Sequence, residues 1–74
     1  MRQFLENDLR RAERQLREAE RHVTRQKALV LRFEAVGEAS KAQAARDRLS
    51  ALEKSLELAK EALLRQRTGR RPTT

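Results

Sequence analysis

Arginine is the most frequent residue in this sequence whose side chain could act chemically, and it is accompanied by a single histidine, His22. One histidine without any cysteine cannot build a zinc site. The sequence also contains no nucleophile–base pair, no glycine-rich phosphate loop and no carboxylate cluster suited to a metal. It therefore predicts a protein that is not an enzyme and that takes no cofactor, metal or small-molecule substrate. His22 follows Glu18 by one helical turn and is interpreted as an ordinary surface residue.

Two basic clusters are the candidates for binding an anion. The first is a stripe in the N-terminal half, with steps of three and four residues that place it on one helical face. The second is a tail over residues 67–74 that contains no acid. The candidate anion-binding residues are Arg10, Arg14, Arg17, Arg21, Arg70 and Arg71. They would contact the phosphates of a nucleic acid without reading its sequence, or an anionic lipid in the case of the tail.

A role in solubility is the alternative for both clusters, and we favour it. Glutamates are interleaved with the stripe, and Glu13 precedes Arg17 by four residues, which is the favourable order for an ion pair on a helix. No aromatic side chain accompanies the stripe to stack on a base. The stripe is thus interpreted as a solvated, salt-bridged helix face and the tail as a disordered, solubilising segment.

Length, charge and composition limit the remaining classes of protein. The 74 residues allow one domain, and without cysteine its stability cannot come from disulfides. Ala, Leu, Glu, Arg, Lys and Gln dominate, as in helical coiled coils. No apolar run is long enough to span a bilayer and no secretory signal is recognisable, so we expect a cytoplasmic protein. The net charge of +7 favours anionic partners of any kind.

Apolar residues recur at alternating steps of three and four in two segments. This is the 3.5-residue period of a coiled-coil seam, the stripe along which two helices pack. Helix 1 is predicted over residues 3–36 and helix 2 over residues 41–66. The seam residues are Leu5, Leu9, Ala12, Leu16, Ala19, Val23, Gln26, Val30 and Phe33 in the first segment and Ala42, Ala45, Leu49, Leu52, Leu56, Ala59, Leu63 and Gln66 in the second.

A tight loop over residues 37–40 is predicted between the helices. Gly37 tolerates the left-handed conformation that ends many helices, and Ser40 with Gln43 matches a capping box. So short a loop makes the two helices antiparallel neighbours. A single unbroken helix is the alternative, because one glycine costs a helix only about 1 kcal/mol.

The register of the two helices is predicted from side-chain volumes. If facing residue numbers add up to 75, nearly every seam alanine meets a larger side chain, as in Val30 against Ala45 and Leu16 against Ala59. Alternating sizes fill a seam without voids. Gln26 is polar at such a position: it either fixes the register or packs its stem while its amide reaches solvent, and we favour the second interpretation.

Several apolar residues outside the seam form the candidate oligomer interface. They are Leu29, Leu31, Val36, Leu58 and Leu64. An exposed apolar patch on so small a protein indicates a partner surface, unless these are scattered surface residues. The predicted fold class is therefore all-α: a coiled-coil-like antiparallel two-helix hairpin that dimerises into a four-helix bundle.

The chain also resembles short helical proteins of unknown function that are common in α-proteobacteria. The resemblance covers most of residues 5–64. It is carried by Ala12-Glu13-Arg14, Glu20-Arg21-His22-Val23, Arg25-Gln26, the Gly37 turn and the stretch from Leu49 to Leu58. It implies a helical hairpin and brings no known activity or ligand with it.

The favoured functional prediction is a small self-associating protein–protein interaction module. The alternative is a basic protein that associates with nucleic acid without sequence specificity. An amphipathic membrane-surface helix is less favoured, because the apolar face lacks the bulky Trp and Phe anchors of interfacial helices.

Overall fold

Two long helices joined by a short turn make up the protein. The computed structural model describes the backbone of residues 2–68 and the side chains of residues 7–67. Helix α1 runs over Arg2–Ala35 and helix α2 over Ala39–Thr68. The helices pack against each other as antiparallel neighbours, and no strand occurs in the described range. The all-α hairpin is thereby confirmed, and the unbroken helix is excluded.

Helix α1 ends in a Schellman motif, a cap closed by two backbone hydrogen bonds around a left-handed residue. Gly37 is that residue, with a φ of +76°. Its N–H donates to the carbonyl of Glu34 at 3.2 Å, and the N–H of Glu38 donates to the carbonyl of Phe33 at 3.0 Å. Glycine suits this position because it has no Cβ to oppose a positive φ. The chain therefore reverses direction over residues 36–38.

The start of α2 differs from the prediction, and the predicted capping box is wrong. Ser40 lies inside α2 instead of ahead of it. The N–H of Ala42 donates to the carbonyl of Glu38 at 2.9 Å, which makes Glu38 the N-cap residue. Gln43 bonds to side chains further along the same helix. The Schellman turn uses fewer residues than the loop predicted over 37–40, so the helix has already begun where the capping pattern occurs.

The contact between the helices is the seam predicted from the heptad spacing. All described seam residues, from Leu9 to Gln66, are buried or half-buried. The most deeply buried apolar residues are Ala12, Val23, Val30, Ala42, Ala45 and Leu63, each at most 8% exposed. Half of them are alanines, so the core of the hairpin is thin. Leu5 belongs to α1, but its side chain lies outside the described set.

The register of the helices matches the one predicted from side-chain volumes. Glu34 pairs with Arg46 at 2.6 Å, and Glu13 pairs with Arg67 at 3.9 Å. In both pairs the residue numbers add up to 80. In a register where the numbers of facing seam residues add up to 75, the numbers of facing residues that flank the seam on one side add up to 80.

Gln26 supports this register through a buried hydrogen bond. The residue is 7% exposed, and its Nε2 donates to the backbone carbonyl of Ala45 at 3.1 Å. The small side chain of Ala45 leaves this carbonyl open to the opposite helix, whereas a slip of one heptad would present Leu52 instead. The interpretation in which Gln26 sends its amide to solvent was therefore wrong.

Helix α2 continues into the segment predicted as a tail. Arg67 belongs to α2 and pairs with Glu13 of α1, and the helix extends to Thr68. Residues 69–74, including Arg70 and Arg71, lie outside the described part of the chain. Neither helix, over the residues described, contains a stretch apolar and long enough to cross a membrane.

Candidate docking face

The hairpin is a slab with two broad faces. Its principal extents are 55, 22 and 11 Å, which makes it two helices wide and one helix thick. Seam residues are covered on each broad face only by the side chains that flank the seam there. The flanking residues differ between the two faces, so the faces also differ in net charge and in how closely the seam side chains are packed.

One broad face, which we call the ionic face, is closed by opposite charges across the seam. Four successive levels of the hairpin carry such a combination: Glu34 with Arg46, Lys27 with Glu53, Glu20 with Lys60, and Glu13 with Arg67. The first and the last of these are in contact, at 2.6 and 3.9 Å. Exposed pairs of this kind contribute only about 0–1 kcal/mol each, but a shift of the register by one heptad in either direction would create two pairs of like charge.

The opposite broad face, which we call the groove face, has an open groove along the seam. Towards the open end of the hairpin, its apolar lining consists of Ala19, Leu52, Leu58, Ala59 and Ala62, with Gln15, Glu18, His22 and Ser55 beside them. Towards the turn, the lining consists of Gln26, Phe33, Ala44, Ala45, Lys41 and Arg48. From Gln15 to Phe33 on α1 the groove is about 27 Å long, at a rise of about 1.5 Å per residue.

Small side chains in the seam layer beneath this face create the groove. Under the ionic face the seam residues are Leu9, Leu16, Val23, Val30, Ala42, Leu49, Leu56 and Leu63. Under the groove face they are Ala12, Ala19, Gln26, Phe33, Ala45, Leu52, Ala59 and Gln66. Six members of the second set line the groove. Because half of that set are alanines, the seam is recessed on this side.

The hairpin leaves much of its apolar surface uncovered. Among the described residues no large side chain is fully buried. The seam leucines Leu9, Leu16, Leu49, Leu52 and Leu56 are all half-buried. A two-helix slab has no third layer to cover these groups.

The residues predicted to form the oligomer interface are divided between the two faces. Leu58 lines the groove, and Leu29 lies half-buried beside the seam on the same face. Leu31 of α1 and Leu64 of α2 lie at the outer edges of the ionic face, farther from the seam than the charged residues that flank it. Val36 lies in the turn. Except for Leu29, all of them are between 60% and 66% exposed. The five residues therefore do not form one patch.

The predicted anion-binding stripe is also divided. Arg10 and Arg17 lie at an outer edge of the ionic face, whereas Arg14 and Arg21 lie on the outer surface of α1, away from α2; all four are exposed. Arg17, Arg21 and Arg25 line a shallow depression on α1 together with Glu20 and Thr24. Elsewhere the stripe alternates with acidic side chains on a convex helix surface.

Helical periodicity extends the groove face beyond the residues that line the groove. Glu18 and Leu58 border the groove, and residues seven positions apart share a face of a coiled-coil helix. Steps of seven from these two residues therefore place further basic side chains on the groove face. They are Arg11, Arg25, Arg32 and Arg65.

Charge is distributed unequally between the two faces. Within residues 7–67 the ionic face carries six basic side chains, Arg10, Arg17, Lys27, Arg46, Lys60 and Arg67, and five acidic ones, Glu13, Glu20, Glu34, Glu53 and Glu57. Over the same range the groove face carries six basic side chains, Arg11, Arg25, Arg32, Lys41, Arg48 and Arg65, and two acidic ones, Asp8 and Glu18. Sequence reasoning missed this basic cluster because it is assembled from both helices, whereas the predicted stripe follows one helix.

His22 borders the groove as an exposed side chain. Within the described range, no three His, Asp or Glu side chains lie close enough together to hold a metal ion. That the protein is not an enzyme stays a prediction.

Comparison of the chain with protein-family models, with curated proteins and with solved structures gives no match. The resemblance to short helical proteins of α-proteobacteria therefore stays a prediction.

Proposed function

We propose that the hairpin is a protein–protein interaction module whose groove face packs against a further helix. The observation that carries this proposal is the recessed, apolar groove, in which Leu52 is only half-buried and Leu58 is exposed. A helix laid into the groove would cover Leu52 and Leu58 and add the missing third layer. Amphipathic helices bind in grooves of this kind through their apolar stripe.

The sequence predicts a second copy of the chain as the source of that helix. Two hairpins that pack groove face to groove face would form the four-helix bundle predicted from the sequence. In that arrangement Leu29 and Leu58 belong to the interface, whereas Leu31 and Leu64 do not.

Light scattering over a series of protein concentrations tests self-association. If two copies pack through the groove face, we expect the wild type to have the mass of a dimer. The double variant Leu29→Lys, Leu58→Lys should be a monomer or should lose its helical circular dichroism signal. The matched variant Leu31→Lys, on the ionic face, should keep the dimer mass. A wild type that is a stable monomer throughout would exclude self-association and leave a helix of another protein as the occupant.

Association with nucleic acid is the second candidate, favoured by the net charge of +7. It receives less support from the structure, because the arginine stripe is interleaved with acids and lies on a convex surface. Phosphate contacts are strongest at low salt, so a lack of binding to duplex DNA or RNA at about 50 mM salt would exclude it. If the stripe binds nucleic acid, the double variant Arg14→Glu, Arg21→Glu should bind it more weakly and should keep the helical circular dichroism signal of the wild type.

A further inference from the structure

We infer that the helix taken by the groove face is acidic and amphipathic and belongs to another protein. This inference rests on the proposed function and names the partner of the same face. It is carried by the combination of an apolar groove floor with a basic rim on both helices.

The rim is basic on both sides of the turn half of the groove. Lys41 and Arg48 line it on the α2 side, and heptad spacing from Glu18 places Arg25 and Arg32 on the α1 side of the same face. Glu38 of the turn pairs with Lys41 at 3.0 Å and offsets one of these charges. No ion pair among the described residues engages the three arginines. They are available to an external carboxylate.

The floor between the two rims is mostly apolar, and Gln26 is its polar member. Phe33, Ala44 and Ala45 line it, and Leu29 adjoins it on α1. Lys41 Nζ lies 5.9 Å from the centroid of the Phe33 ring, which places a positive charge at the edge of the floor. A helix with leucines along one stripe and glutamates on both borders of that stripe matches this arrangement in apolarity and in charge.

A second copy is a poorer match for the same face. A twofold interface presents the same patch from both subunits, so the basic excess of one groove face would meet the basic excess of the other. Like charges brought together in this way oppose association.

Nucleic acid is a poorer match for a different reason. Phosphates would satisfy the arginines but would leave the alanine and leucine floor in contact with water. Phe33, the aromatic residue of the groove, is half-buried in the seam and lies beneath Lys41, so it offers no free ring for a base.

A designed peptide pair provides the test. The probe is a helix of about 21 residues, which spans the groove at about 1.5 Å per residue. It carries leucines at seam spacing and glutamates at the flanking positions. The control peptide has lysine in place of every glutamate. Fluorescence anisotropy with the full chain should show binding of the acidic peptide and at least about tenfold weaker binding of the basic one. Salt at about 0.5 M should weaken the acidic complex.

Charge-reversal variants locate the binding face. Arg25→Glu with Arg48→Glu, on the groove face, should weaken binding of the acidic peptide by about tenfold or more. Arg14→Glu with Arg21→Glu makes the same change of charge on the outer surface of α1 and should leave binding unchanged. Helical circular dichroism of both variants reports whether the hairpin remains folded.

The outcomes separate this inference from the proposed function. If both peptides bind equally well, or if both charge-reversal variants lose the same affinity for the acidic peptide, the inference of an acidic partner is overturned. The proposal that the groove binds a helix would remain. Dimerisation abolished by Leu58→Lys, without peptide binding, would replace the acidic partner by a second copy. If the chain neither dimerises nor binds either peptide, both proposals are overturned. Duplex DNA bound in place of the peptide and lost in the Arg25, Arg48 variant would assign the face to nucleic acid.

Discussion

The ionic face and the groove face are built from the same two helices, yet they differ in the size of their seam side chains and in the sign of their flanking charges. On the ionic face, leucine and valine fill the seam layer, and opposite charges flank it at four levels. On the groove face, alanine and glutamine leave the seam layer recessed, and the flanking charges are mostly of one sign. In the first arrangement the flanking charges can pair within the hairpin. The second leaves an apolar groove and a basic rim, which we propose are covered by another molecule.

If the groove face is a docking surface, as we propose, one heptad pattern separates folding from recognition. The seam positions nearer the ionic face supply large side chains, so they provide most of the apolar contact that holds the helices together. The seam positions nearer the groove face supply small side chains, so they determine where a further helix can approach. Mutations on the two faces should therefore affect different properties.

The largest expected effect comes from shortening a leucine under the ionic face. Leu63 is 8% exposed, so Leu63→Ala should lower the free energy of unfolding by about 2–3 kcal/mol. Leu58→Ala, on the groove face, should change it by less than about 0.5 kcal/mol, because that side chain is 64% exposed. Urea denaturation of dilute protein measures both values. Equal losses would mean that the groove face is already covered in solution.

A smaller effect is expected at the polar residue of the groove floor. Gln26→Ala removes a buried side chain and its hydrogen bond to the Ala45 carbonyl, so we expect a loss of about 1–2 kcal/mol in the free energy of unfolding. Gln26→Leu should retain stability but allow the helices to slip, because an apolar side chain specifies no register. Cysteines at Val30 and Ala45 trap the native register as a disulfide, and cysteines at Val30 and Leu52 trap a slip of one heptad. The second pair should form a disulfide in Gln26→Leu and not in the wild type; no disulfide from that pair in Gln26→Leu would contradict the role assigned to Gln26.

The smallest effect concerns the charges that close the ionic face. The side chains of Arg46 and Glu34 are 44% and 45% exposed, so a double-mutant cycle of Glu34→Gln with Arg46→Gln should give a coupling of about 0.2–1 kcal/mol. The same cycle with Glu18→Gln and Arg48→Gln, on the groove face, should give no coupling. A coupling on the groove face equal to that on the ionic face would remove the distinction in charge between them.

Much of the fold followed from the spacing of particular residues. Leucine, alanine and valine at steps of three and four defined both helices and their register, and Gly37 marked the reversal. The capping pattern at Ser40 failed, because the cap of α1 and the start of α2 share the same few residues around Glu38. Backbone hydrogen bonds within a turn of this kind are not specified by side-chain types alone.

The candidate site followed from the sequence only in part. The sequence-based interface groups Leu29 and Leu58 with Leu31 and Leu64, because all four are apolar residues outside the seam. That criterion does not distinguish the two broad faces of the slab. Heptad positions contain that separation once the register is known. The groove required the structure, because it depends on which seam residues lie beneath which face.

Backbone amide NMR tests the central claim most directly, since it reports on both faces at once. Titration of the monomeric chain with the acidic helical peptide should shift resonances around Leu29, Ser55 and Leu58, along the groove. Resonances around Leu31 and Leu64, on the other side of the slab, should stay in place. Shifts concentrated at Leu31 and Leu64, or none at saturating peptide, would contradict the assignment of the groove face as the docking surface.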